Sequence, residues 1–74
     1  MLGRNKKMIA KVNIIQIKEL MEINEFENSD LSVETDLGIY TIDRILAEGT
    51  ATLKSIVKIS KVLGCNISDI MLKN

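Results

Sequence analysis

Apolar residues recur along this chain at spacings of three and four, the signature of helices with one buried face. The first clear helix signal starts at Asn13, an N-cap residue with Gln16 three positions on and Val12 placed to staple against Ile17. Ile17, Leu20 and Met21 follow at helical spacing and Asn24 is a stop, so the pattern predicts helix 1 over 14–23. Phe26 lies between helices as a core anchor, and Asn28 and Ser29 both read as N-caps of a short helix 2 over 30–36 that points Leu31 inward. Helix 3, over 39–47, buries Ile42 and Ile45, with Leu46 an optional third, and stops at Gly49. Thr52 caps helix 4 over 53–63, with Leu53, Ile56, Ile59 and Leu63 inward and Gly64 as its left-handed stop. Asn66, with Asp69 three on, caps a last short helix carrying Ile67, Ile70 and Met71. Residues 6–11 stay open between a longer helix 1, a strand and a loose lead-in; elsewhere the pattern offers no strand pair. The expected architecture is all-α, with one core drawn from Leu20, Phe26, Leu31, Ile42, Ile45, Leu53, Ile56, Ile59, Leu63 and Ile70.

Composition narrows the chemistry. The 74 residues suffice for one small domain, and aromatics are only 3%, so the core is aliphatic. There is no His, the single Cys65 has no base to pair with, and the four glycines are isolated. Imidazole metal sites, nucleophile–base pairs and phosphate-cradling loops are therefore absent, and no enzyme, metal or cofactor is expected. No apolar run is long enough for a membrane span.

Charge is balanced overall but unevenly placed. Residues 1–18 carry +5, residues 19–48 carry −8 and residues 49–74 carry +3. The expected organisation is a basic N-terminal arm, 1–12, and a helical domain, 13–74.

Two short helices joined by a tight turn, with a small residue (Ser32) in the first, meet the requirements of a helix-turn-helix. The run at 31–46, Leu-Ser-Val-Glu-Thr-Asp-Leu-Gly-Ile-Tyr-Thr-Ile-Asp-Arg-Ile-Leu, resembles the two-helix unit of the Cro and phage-repressor (XRE-type) family. The run at 53–70, Leu-Lys-Ser-Ile-Val-Lys-Ile-Ser-Lys-Val-Leu-Gly-Cys-Asn-Ile-Ser-Asp-Ile, resembles that family's fourth and fifth helices, and Ile17-Lys18-Glu19-Leu20 its first. The resemblance covers about 14–72. This chain departs from the family pattern in having Ser32 for Ala, Asp36 for the turn Gly, Gly38 for a Ser or Thr cap, and Leu46 for an acid. Its loop at 48–52 also lacks Lys and Arg.

The resemblance implies a five-helix phage-repressor-like DNA-binding domain with helices 2 and 3 as the helix-turn-helix. It further implies a small repressor-like transcriptional regulator, acting as a homodimer on a double-stranded DNA operator in a bacterial, phage or mobile-element cytoplasm. By family position Ile39, Tyr40 and Arg44 face base edges in the major groove with Asp43 beside them, an assignment that agrees with Ile42 and Ile45 pointing inward. An exposed Ile39 suits thymine methyls and Arg44 suits guanine. Asn28 or Ser29, at the start of helix 2, would clamp a phosphate, and Lys54 would reach another. The dimer surface is expected at Val62, Ile67 and Met71, or alternatively on the arm at 8–12.

Quieter readings stand beside these. Ile39 and Tyr40 make an apolar patch suited to another regulator protein, as in an anti-repressor or repressor modulator on the same fold. Arg44 has Asp43, Glu48 and Tyr40 as surface partners, the basic arm reads equally as a solvated leader, and Lys54, Lys58 and Lys61 as a solvated face. Cys65 reads as a small buried hydrophobe. The acidic centre opposes duplex binding unless its carboxylates point away, since duplex affinity comes largely from Lys and Arg.

Overall fold

A computed structural model of the protein describes residues 8–72. The elements in order are β1 (Ile9–Lys11), α1 (Ile14–Ile23), α2 (Asn28–Thr35), α3 (Ile39–Glu48), β2 (Thr50–Thr52), α4 (Leu53–Leu63) and α5 (Ile67–Ile70). Three helices start where the caps predict, α1 at Asn13, α4 at Thr52 and α5 at Asn66, whose N–H donates to Asp69 Oδ2 at 2.9 Å. The Gln16 N–H donates to Asn13 Oδ1 at 3.0 Å, and the Ser55 N–H donates to Thr52 Oγ1 at 3.1 Å. α3 ends on Gly49 (φ 77°) and α4 on Gly64 (φ 72°), both in the left-handed region. At Gly49 the requirement is double, because a Cβ there would lie 3.1 Å from Ile14 Cδ1.

The start of α2 differs from expectation. Its cap is Glu27, not Asn28 or Ser29, and the helix begins two residues before 30. Glu27 and Asp30 form a reciprocal capping box: each side chain accepts from the other's backbone N–H, with Glu27 N to Asp30 Oδ2 at 2.9 Å. That exchange satisfies two amides where an Asn28 or Ser29 side chain would satisfy one. α2 then ends at Asp36, which takes the left-handed conformation (φ 61°) in the place of the usual turn glycine. The turn is held by side chains. Ser32 Oγ donates to the Leu37 carbonyl at 2.6 Å, and buried Thr35 Oγ1 donates to the Leu31 carbonyl at 2.6 Å.

A strand pair is present, contrary to the all-helical expectation. β1 runs antiparallel to β2 with Ile9 opposite Thr52, Ala10 opposite Ala51 and Lys11 opposite Thr50. On the other edge of β1 the chain end returns: Val12 bridges Met71, Asn13 N–H donates to the Ile70 carbonyl at 2.8 Å, and Leu72 N–H donates to the Lys11 carbonyl at 3.0 Å. Of the three readings left open for residues 6–11, the described part adopts the strand. Arg4, Lys6 and Lys7 of the basic arm lie outside the described residues. Three-residue strands carry no readable period, and their partners are some forty positions away, so pairing here is set by the packed helices.

The core joins Val12, Ile17, Met21, Leu31, Ile42, Ile45, Leu46, Ala51, Ile56, Ile59, Leu63 and Ile70. Leu53 departs from the predicted core: at the first turn of α4, before that helix meets its neighbours, it is 36% exposed. Leu20 and Phe26 are half-buried against the core. Val62, Ile67 and Met71 also pack against it, which corrects their reading as an exposed dimer surface. Of the alternative surface, Met8 and Ile9 are exposed while Val12 is buried. Burial raises the pKa of the Cys65 thiol, and the Asp69 carboxylate raises it further, so the thiol stays protonated and unreactive at neutral pH.

Candidate nucleic-acid interface

α2 packs on α3 and α4, and the 36–38 turn joins α2 to α3. α3 is anchored from beneath by Ile42, Ile45 and Leu46. Helical geometry therefore turns Ile39, Tyr40, Asp43 and Arg44 outward together, and all four are exposed. Tyr40 is 87% exposed, far more than an aromatic in contact with its own fold, whereas Ile39 is only partly free.

Two contacts organise this face. Asn28 Nδ2, from the first residue of α2, donates to Asp43 Oδ1 at 2.9 Å across the helix pair. Arg44 Nη1 lies 3.5 Å from Glu48 Oε1, one turn on. The second is one of the surface partners foreseen for Arg44; both side chains are largely exposed, and such pairs contribute at most a few tenths of a kcal/mol. It leaves the guanidinium free to move to a stronger acceptor.

The Asn28 side-chain amide faces Asp43, and the Glu27–Asp30 capping box takes the backbone amides of those two residues at the start of α2. Ser29 is exposed on the first turn of α2. Lys54 stands apart on the first turn of α4, where Met8, Thr52, Leu53 and Lys54 line a shallow cleft of about 410 Å³. α3 itself opens on Gly38, whose missing side chain leaves the helix without a side-chain cap. Sequence reasoning missed the Asn28–Asp43 contact because it joins residues fifteen apart on different helices. The Glu27–Asp30 box had a signal, the acid pair at three-residue spacing before Leu31.

Among the described residues no group of three or more His, Cys, Asp or Glu side chains is placed to hold a metal ion. No helix among them is long and apolar enough to cross a membrane.

Five helices around one aliphatic core, with a sharp α2–turn–α3 unit presenting an exposed helix face, define a helix-turn-helix protein. The family model of the Cro/C1-type HTH DNA-binding domain matches residues 16–72, from α1 to just past α5. The chain belongs to that family, and in general terms it is a DNA-binding regulator. No curated protein and no solved structure matches it.

Proposed function

We propose that this protein is a sequence-specific, small repressor-like transcriptional regulator that inserts α3 into the major groove of a double-stranded operator. The observation that carries the reading is the division of α3 into a buried face and an outward face bearing Ile39, Tyr40, Asp43 and Arg44. Arg44 offers a bidentate donor to guanine, Ile39 and Tyr40 offer apolar contact to thymine methyls, and Asp43 offers an acceptor. Lys54, Ser29 and the basic N-terminal residues Arg4, Lys6 and Lys7 meet phosphates, and the helices together with the β1–β2 pair form the DNA-binding unit. Two copies bind one operator, associating through the exposed apolar residues Met8, Ile9 and Leu72 beside β1. The proposed setting is the cytoplasm.

The test is selection from a randomised duplex pool, followed by binding of the selected site at two salt concentrations. A defined consensus of two half-sites about one turn apart is expected. The salt slope should be shallow because few cations are available, and Lys54→Ala should lower it by about one. Sedimentation with and without DNA reads the dimer; a monomer at high micromolar protein in both conditions overturns that part.

Two observations favour a second reading. Glu27 and Asp30 set two carboxylates at the start of α2, where their charge opposes a phosphate, and Tyr40 stands almost wholly exposed. On that reading the 39–44 face docks another regulator. Tyr40→Ala and Arg44→Ala would then leave DNA binding unchanged and abolish binding to that partner.

A further inference from the structure

The geometry points to Asp43 as a specificity-determining residue that accepts from the exocyclic amino group of a cytosine, with Asn28 as the residue that positions it. This inference rests on the proposed groove reading by α3. Asp43 is the fifth residue of α3 and lies on the same outward face as Ile39 and Tyr40, a helical turn along. Its Oδ1 already accepts from Asn28 Nδ2 at 2.9 Å, which fixes the rotation of the carboxylate from a second helix. Oδ2 makes no side-chain or backbone hydrogen bond among the described residues, and Asp43 is exposed, so one acceptor is left without a protein partner.

A carboxylate in a groove lined by phosphates is repelled by the duplex, and it loses water on entering. That cost is offset only where the base edge presents a donor. In the major groove cytosine presents its N4 amino group, whereas guanine presents N7 and O6 and thymine presents O4, all acceptors. Adenine has an N6 donor, but its neighbouring N7 acceptor faces the carboxylate as well. The expected order at the base under Asp43 is cytosine, then adenine, with guanine and thymine excluded by repulsion. Specificity at this position thus comes from rejection of wrong bases as much as from attraction to the right one. Asn28 touches no base in this scheme. It keeps the carboxylate from rotating its two oxygens between base and solvent.

The experiment repeats selection from a randomised duplex pool with wild type, Asp43→Ala, Asp43→Asn and Asn28→Ala, each checked for unchanged thermal unfolding. In wild type, exchanging the selected cytosine for guanine should weaken binding by about 5- to 150-fold. Asp43→Ala should flatten the preference at that base pair alone. Asp43→Asn should invert it: Asn28 holds the amide oxygen, so the new amino group faces the base and selects an acceptor, guanine or thymine. Asn28→Ala should blunt the cytosine preference, and the double variant Asn28→Ala with Asp43→Ala should lose no more than Asp43→Ala alone. A wild-type consensus with no cytosine dependent on Asp43 overturns the inference while leaving the groove reading intact. A uniform gain in affinity for all sequences in Asp43→Ala overturns it too, because Asp43 would then only repel. A pool that yields no consensus with folded wild-type protein overturns the groove reading itself and this inference with it.

Discussion

α3 and α4 are near copies on their inner faces and opposites on their outer ones. Each puts isoleucines into the common core, Ile42 and Ile45 from α3 and Ile56 and Ile59 from α4, and each ends on a left-handed glycine. On the outside α4 carries Lys54, Lys58 and Lys61, and α3 carries Tyr40, Asp43, Arg44 and Glu48. Their beginnings differ too. Thr52 caps α4 through its hydroxyl, while Gly38 caps α3 with no side chain. The buried faces follow one rule, removal of aliphatic surface from water, and therefore look alike. The outer faces are free of that rule and differ: mixed donors, acceptors and apolar groups on α3, plain positive charge on α4.

The likeness of the inner faces can be broken most severely. Ile42→Ala and Ile56→Ala each remove a fully buried side chain and should each destabilise by about 2–5 kcal/mol. Denaturant unfolding checks this; a near-zero cost for either one would show that the two helices do not share the core equally. Next comes the outer face of α3. Arg44→Ala should lose about 1–3 kcal/mol of discrimination at a single base pair, read by competition between operator variants. A loss spread evenly over all sequences would make Arg44 a charge like the lysines of α4 and erase the contrast.

The caps sharpen the comparison at smaller scale. Thr52→Ala removes the acceptor for the Ser55 N–H and should cost about 1 kcal/mol in thermal or denaturant unfolding. Gly38→Ser supplies to α3 what α4 already has. It should stabilise by only about a few tenths of a kcal/mol, since glycine is itself a tolerated cap. A destabilised Gly38→Ser would mean that the hydroxyl meets something other than the free amides of α3.

Much of the fold was legible because it obeys local rules. α1 and α4 fall at 14–23 and 53–63 as predicted, since each has a side-chain cap at its start, an aliphatic period and a stop residue at its end. The N-terminus of α2 was less so, because three successive residues, Glu27, Asn28 and Ser29, all carry side chains able to cap. Only the reach of Asp30 back to the Glu27 amide selects among them. Leu53 fits the period of α4 but sits at its first turn, where helical spacing says nothing about whether a neighbour is there to cover it. For the site, the outward set of Ile39, Tyr40, Asp43 and Arg44 followed from the inward set on the same helix. The role of Asn28 did not, because a phosphate clamp and a partner for Asp43 demand the same amide side chain.

By itself the sequence determined which residues shun water, where helices start and stop, and which face of α3 is left outside. These depend on periodicity and capping within a dozen residues. Only the tertiary structure decided what meets across distance: Ile9–Lys11 against Thr50–Thr52, Val12 against Met71, and Asn28 against Asp43. Short strands and single polar contacts have no local signal of their own. They form because the aliphatic core first brings their carriers within hydrogen-bonding distance, where an unpaired backbone or side-chain group would otherwise lose its water without replacement.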